Sequence, residues 1–397
     1  MDVSIVIPTK NGGHLFEKVL DAVFKQKTEY EYEVICVDSG SKDGTLDVIR
    51  KYPCRLFQIE PSEFGHGKTR NYGASKGNGT YIIFITQDAL PADAYLTQEL
   101  CKALFSDEKI AAAYARQLPE ENCSRMERYT RQFNYPEQPS VKTKADLLRL
   151  GIKTYFCSNV CAAYKRDIFE QLGGFVNHTI FNEDMIYAAG VIQAGYAIAY
   201  AADAKVIHSH NYSGWQQFTR NFDLGVSHVQ YPAVFDGVPP EGEGMKLVKK
   251  TAVYLAKTAP WLLPKLIWQS GMKWLGYRFG KKYQKLPPGL VRFCSMQKGY
   301  WKQLKYHRKK KNILTPEAAF FTEWTQLFGI LSAEQADAPD TAANEKRGHN
   351  MGYGYDPEET TGQEHMDDTA PESGEQEYTD SAQKTDASDM SAYSGVS

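Results

Sequence analysis

The sequence predicts an α/β fold: a mostly parallel sheet flanked by helices, followed by a helical basic region and a disordered acidic tail. Three observations carry this reading. Short β-branched runs alternate with amphipathic stretches through about the first 235 residues, as in strands joined by crossover helices. Between Met245 and Asn312 there are eighteen Lys and Arg and no Asp or Glu. From Ser332 onward sixteen acids face three Lys and Arg, and aliphatic side chains are too few to offset the entropy of ordering.

The elements follow in order. Residues 3–7 read as a buried strand ended by Pro8, and 14–26 as a helix. Residues 34–37 form the next strand and about 44–51 a helix; 55–59 and 81–85 are further strands, with a helix over 68–75 between them. A helix starts near Asn182-Glu183-Asp184 and runs to about Ala194. Residues 204–210 read as a strand that ends in His208-Ser209-His210. The charge pattern divides the chain at 1–235, 236–331 and 332–397. The middle segment should form several amphipathic helices, and Thr315-Pro316-Glu317 reads as a cap, a first-position Pro and a first-turn acid. No internal repeat is present.

Composition narrows the class. Hydrophobic residues make up 42% and charged residues 24%, as in soluble globular proteins. The net charge of -2 conceals the segregation of basic and acidic segments. Seven cysteines at irregular spacing suit buried thiols in a reducing compartment. Cys157, Cys161 and His178 lack a fourth ligand for a zinc site. The chain opens directly into a strand-like run, without a signal peptide. Its longest apolar stretch is cut by Pro260, Pro264 and Lys265. These features predict a cytoplasmic protein with no membrane-spanning segment.

In an open parallel sheet, ligands sit beyond the carboxyl ends of the strands, and the polar clusters fall there. Asp38 closes the second strand and Asp43-Gly44-Thr45 opens the next helix, so either acid could meet a base or ribose, or simply cap the turn. Gly65-His66-Gly67-Lys68-Thr69-Arg70-Asn71 places glycines and cations at a helix start, ready for phosphate. It is no P-loop, because Ser62 stands where that motif needs Gly. Thr86-Gln87-Asp88 follows the fourth strand, and Asp88 could hold a divalent cation. Glu183 and Asp184 serve the helix dipole, or one acts as general base. His208 and His210, two apart on a strand, would share a face and could join Asp88 around a metal.

In this order the clusters resemble the GT-A fold of glycosyltransferase family 2 over about residues 1–230, and most closely its bacterial rhamnosyltransferases. The series runs from Pro8-Thr9 through Asp38, Asp43-Gly44-Thr45, Gly67-x-x-Arg70-Asn71 and Asp88. It closes with Gly173-Gly174-Phe175, Glu183-Asp184 and the histidine pair. The resemblance implies an inverting transfer of one sugar, L-rhamnose from dTDP-L-rhamnose, to a growing, possibly lipid-linked, surface glycan. It places Thr9, Asp38, Asp43, Arg70, Asn71, Gln87 and Asp88 along the nucleotide sugar. Asp184 becomes the base, with Glu183 beside it. Asp88, His208 and His210 become ligands of Mg2+ or Mn2+. Thr86 replaces the first acid of the family's Asp-x-Asp, which removes one carboxylate from that cation. Gln217-Phe218-Thr219-Arg220 resembles the start of the processive synthases' Gln-x-x-Arg-Trp, but Asn221 replaces the Trp, which argues against polymer extrusion.

The basic, aromatic segment fits an anionic membrane surface on the cytoplasmic side. Inward-packed aromatics with solvated lysines is the plainer reading, and no nucleic-acid partner is expected. The rivals are a family-2 enzyme using a UDP-hexose and a non-catalytic GT-A-fold binding protein.

Overall fold

The computed structural model describes residues 1–238 and 241–309. The tail at 332–397 and the cap at Thr315-Pro316-Glu317 lie outside the described residues. The apolar runs become β1 (Val3–Thr9), β2 (Tyr32–Asp38), β3 (Arg55–Gln58), β4 (Tyr81–Ile85), β5 (Leu90–Pro91), β6 (Ile110–Leu118), β7 (Ser140–Lys142), β8 (Cys161–Lys165) and β9 (Ala197–Ile207). They form one sheet in the order β3-β2-β1-β4-β8-β6-β9-β5, with β7 also on β9. β1–β4, β6 and β9 run one way and β5, β7 and β8 oppose them. The sheet is therefore mostly parallel, as the alternation predicts.

The helices are α1 (Gly13–Phe24), α2 (Thr45–Arg50), α3 (His66–Lys76), α4 (Leu96–Phe105), α5 (Arg125–Asn134), α6 (Leu147–Leu150), α7 (Arg166–Gln171) and α8 (Glu183–Gln193). After them come α9 (Gly214–Gln230), α10 (Pro232–Phe235), α11 (Glu241–Thr258), α12 (Leu263–Gly280), α13 (Pro288–Cys294) and α14 (Lys298–Lys309). Both faces of the sheet are covered, which is why its central strands are apolar throughout rather than alternating. Val3, Ile5 and Ile7 pack with Phe16, Val19 and Leu20 of α1 on one face. On the other, Val6, Ile35 and Phe84 pack with Ala74 of α3 and with α8.

The basic segment is helical over its described residues and is pressed onto the α/β part. A Cβ on Gly276 of α12 would lie 2.1 Å from the Phe218 carbonyl oxygen of α9, and one on Gly280 equally close to that of Phe222. Only glycine permits this backbone-to-backbone approach. Phe218, Phe222 and Val226 of α9 share a core with Val291 and Cys294 of α13. Helices on both sides of residue 235 thus bury one another.

One strand ends earlier than the alternation suggests. β9 stops at Ile207, where its pairing with Leu118 of β6 ends. His208 and His210 lie beyond it in the connection to α9, not on a strand face.

Candidate active site

The carboxyl ends of β1, β2 and β4 and the segments after β9 and before α8 meet at one edge of the sheet. Parallel register sets Thr9 beside Asp38, and the Thr9 hydroxyl donates to Asp38 Oδ1 at 3.4 Å. Asp38 Oδ2 accepts the N–H groups of Gly40 and Ser41, each at 2.9 Å, and the Ser41 hydroxyl donates to Oδ1. The buried carboxylate therefore folds its own turn. Asp43 does likewise: Oδ1 accepts the Thr45 N–H at 3.0 Å, and Oδ2 accepts that of Gly13 at 3.2 Å.

Three other residues expected along the nucleotide are committed to the scaffold. The Asn71 amide donates to the Phe175 carbonyl at 2.7 Å and to Asn177 Oδ1 at 3.1 Å, and its oxygen accepts the Phe175 N–H at 3.0 Å. It pins the Gly173–Phe175 turn to α3. Gln87 brackets Lys10, accepting from its N–H at 2.8 Å and donating to its carbonyl at 2.9 Å. Arg70 is buried and donates to Glu183 Oε1 at 2.9 Å and to the His66 carbonyl at 3.1 Å. The ion pair commits Glu183 to the scaffold as well.

Asp184 differs from its neighbour. It is fully buried at the start of α8, held by the Asn159 N–H on Oδ2 at 3.1 Å and the Met185 N–H on Oδ1 at 2.8 Å. Asn182, which precedes the helix, sits in the left-handed region at φ 64, a conformation Asn tolerates better than most residues. Burial first, and then the charge of Glu183, push the Asp184 pKa up to about 7, against the two N–H bonds and Arg70. Glu183 is matched by arginine, whereas Asp184 is poised near neutrality, where a general base works best. Asn159 leads into β8, and Val160 beside it accepts the Thr86 N–H at 3.0 Å. Asp184 and the Thr86–Asp88 turn are in this way tied to adjacent residues, Asn159 and Val160.

Asp88 meets both histidines. Its Oδ2 lies 3.6 Å from Nε2 of His208 and 3.6 Å from Nε2 of His210, and the two Nε2 atoms are 3.1 Å apart. All three ligand atoms lie within 4.8 Å of one another. Burial raises the Asp88 pKa, but His208, His210 and Thr86 outweigh it, and the carboxyl is held well below its ordinary value. Burial, then His208, push the His210 pKa down to about 3. The residues fit a divalent cation. A carboxylate oxygen, Asp88 Oδ1, is buried with no partner, and two imidazole nitrogens face each other with room between them and the acid.

Gln117, near the end of β6, was not among the expected site residues. Its Oε1 lies 3.1 Å from Nδ1 of His208 and also accepts from Arg131, while its Nε2 donates to Ser158 at 3.0 Å. A carbonyl oxygen only accepts, so Nδ1 of His208 carries the proton and Nε2 presents its lone pair to the metal position. The signal in the sequence was a lone amide at the end of an alanine-rich buried strand. Arg131 carried less signal, since its spacing from Glu127, with which it pairs at 2.7 Å, reads as an ordinary surface helix pair. Arg220 of α9 is also buried. Its guanidinium lies 4.9 Å from the Phe181 ring centre and 5.8 Å from that of Tyr212, with no salt bridge among the described residues.

Acids, imidazoles and cations gathered beyond the strand ends of a helix-covered parallel sheet define an α/β enzyme with its cleft at the carboxyl edge. The family model for glycosyl transferase family 2 matches residues 4–173. The O-antigen chain rhamnosyltransferase RfbN of Salmonella typhimurium strain LT2 is 44% identical over 316 residues, covering 78% of this chain and 99% of that one. WbaN of Salmonella anatum, of the same description, is 41% identical and covers 78% and 98%. Among solved structures, a mannosyltransferase from Pyrobaculum calidifontis in complex with GDP-Man and Mn2+ superposes with a TM-score of 0.45 at 20% identity, covering 78% of this chain and 88% of that one. The chain belongs to glycosyl transferase family 2 and is a glycosyltransferase.

Proposed function

We propose that this enzyme transfers L-rhamnose from dTDP-L-rhamnose to a growing, lipid-linked surface glycan with inversion at the anomeric carbon. The observation that carries the sugar is the 44% identity that runs across 99% of the Salmonella rhamnosyltransferase. The chemistry rests on Asp184. It accepts the proton of an acceptor hydroxyl; the freed oxygen bonds to the anomeric carbon from the face opposite the leaving group. The bond from that carbon to the diphosphate breaks, and its electron pair departs on the nucleoside diphosphate. Asp88, His208 and His210 would hold a divalent cation, and two imidazoles in the set favour Mn2+ over Mg2+. When bound, such a cation supplies charge neutralisation to the departing diphosphate. Glu183, held in place by Arg70, sets a charge beside Asp184 that helps keep its pKa up. Asp38 and Thr9 form the floor on which the base of the nucleotide rests.

No helix of the described residues is long and apolar enough to cross a membrane. The basic helices meet an anionic, cytoplasmic membrane face through exposed Trp261, Ile267, Trp268 and Trp274. Nucleoside diphosphate release from dTDP-L-rhamnose, UDP-glucose, UDP-galactose and GDP-mannose, each with Mn2+, Mg2+ or EDTA, tests the donor. Release from dTDP-L-rhamnose alone, abolished by EDTA, is expected. Preference for a UDP-hexose overturns the sugar, and turnover in EDTA overturns the cation.

A further inference from the structure

Where the basic segment meets α9, three helices hold an aromatic strip open to solvent. The Phe293 ring of α13 lies 5.1 Å from that of Trp215 of α9. Trp215 stacks on Phe218 at 5.0 Å, and Phe218 meets Phe279 of α12 at 5.9 Å. Phe218 is buried, but Phe293 is 63% exposed, Trp215 44% and Phe279 41%. A contiguous apolar strip of this kind gains from being covered.

Cations surround the strip. Lys281, Lys282 and Lys285 follow Phe279, and Arg292 precedes Phe293. Lys298 and Lys302 stand on α14, which is fastened nearby through Trp301, 5.7 Å from the Tyr283 ring. All six cations are exposed, and none has a salt bridge among the described residues. α12, α13 and α14 contain no Asp or Glu. Asp223, which reaches them from α9, is buried and accepts the Met296 and Gln297 N–H groups, each at 2.9 Å. Like charges gathered without acids repel one another, and an acidic segment laid over them relieves the repulsion.

We propose that the acidic segment of the same chain, 332–397, docks on this basic, aromatic face. Charge and reach favour it over a separate partner. The segment carries sixteen acids against three Lys and Arg, and Tyr353, Tyr355, Tyr378 and Tyr393 besides. It therefore offers rings to the strip as well as charge to its rim. The residues between Lys309, which ends α14, and Ser332 can span up to about 70 Å. Being on one chain sets the effective concentration of the segment on the order of millimolar. One consequence rests on the reading of the basic helices as a membrane-facing surface: the docked segment competes with anionic lipid for the same cations.

The test keeps the full chain. A carbodiimide, which joins lysine amines directly to carboxylates, is applied at low salt to a mixture of isotope-labelled and unlabelled protein. Mass spectrometry then reads the linked peptides. Links from 332–397 should fall on Lys281, Lys282, Lys285, Lys298 and Lys302 at least fivefold more often than on Lys18 and Lys144, which are exposed on the α/β part. They should lie within one molecule and disappear in high salt. Lys281→Glu, Lys285→Glu and Arg292→Glu together should cut the links to Lys282, Lys298 and Lys302 at least threefold. A chain with every Asp and Glu of 332–397 replaced by Asn or Gln should bind mixed phosphatidylcholine and phosphatidylglycerol vesicles at least tenfold tighter than wild type. Its donor hydrolysis should stay at the wild-type rate. Links spread evenly over the surface, links between molecules, or equally tight vesicle binding by the two chains overturns the proposal. Vesicle binding by neither chain, with the links confined to this face, refutes the membrane reading and upholds the docking.

Discussion

Replacing Glu183 with Gln removes the salt-bridge partner of Arg70 and, with it, a charge that holds up the Asp184 pKa. The pair is 2.9 Å apart and each side chain is 4% exposed, so solvent cannot replace what is lost. Breaking one half of such a buried pair costs about 3–5 kcal/mol. Gln still accepts a hydrogen bond from the guanidinium, and Nη1 keeps the His66 carbonyl at 3.1 Å. Nε of Arg70, however, is already without a partner. The loss in Glu183→Gln should therefore lie near the low end, at about 3 kcal/mol, and in Glu183→Ala near the upper end. Arg70→Ala should cost as much, by stranding Glu183 beside Asp184. Urea unfolding of both alanine variants and their combination gives the coupling, expected at about 2 kcal/mol or more. The same substitution has a catalytic signature. Asp184 must be ionised to accept a proton, so turnover falls as pH drops through about 7. In Glu183→Gln that acid limb should move to lower pH, since a charge that raises the pKa is gone and the unpaired Arg70 favours the carboxylate. Additive losses within about 0.5 kcal/mol, or an acid limb that stays in place, would refute the reasoning.

Three further outcomes follow from the packing and the charges. Gly276→Ala puts a Cβ 2.1 Å from the Phe218 carbonyl oxygen and should lower stability by about 1–3 kcal/mol by prising α12 from α9, seen as a fall in Tm. Gln117→Leu should weaken Mn2+ binding about 10–100-fold by calorimetry, because His208 loses the group that fixes its tautomer; unchanged affinity would remove Gln117 from the site. Asp223 accepts the Met296 and Gln297 N–H groups, each at 2.9 Å, and burial pushes its pKa up to about 7. Between the unfolded carboxyl pKa of about 4 and about 7 the native state binds the extra proton, so stability falls as pH rises through that window. Asp223→Asn should flatten this dependence of Tm on pH between about 4 and 7, and a slope equal to wild type would count against it.

Much of this was legible in the sequence, for identifiable reasons. Runs such as Val3–Thr9 announce strands buried on both faces, and parallel topology puts the candidate residues Thr9, Asp38 and Asp88 at or just beyond strand ends, while Asp184 opens α8. Other features were not legible because they are long-range. Arg70 and Glu183 are separated by 113 positions, and nothing local says that their charges meet. Asn71 and Gln87 are the polar residues one expects to serve a ligand, yet a buried turn needs its backbone groups satisfied, and these amides satisfy Phe175 and Lys10. Their spacing puts the two histidines on one strand face. β9 ends before them, and they converge because the chain turns back beyond the strand. The middle segment stands out by charge, a surface property. What fastens it to the rest is a pair of glycines and an apolar face, to which charge counting is blind.

The central claim is that Asp184 deprotonates the acceptor for rhamnosyl transfer. The most direct measurement is kcat/KM for dTDP-L-rhamnose in wild type and Asp184→Asn from pH 5 to 9, with Mn2+ and a lipid-linked glycan acceptor. The wild type should lose turnover below about 7. The variant should be slower by about 10²–10⁴-fold and lack that limb. A variant that turns over near the wild-type rate, with the acid limb intact, would contradict the account.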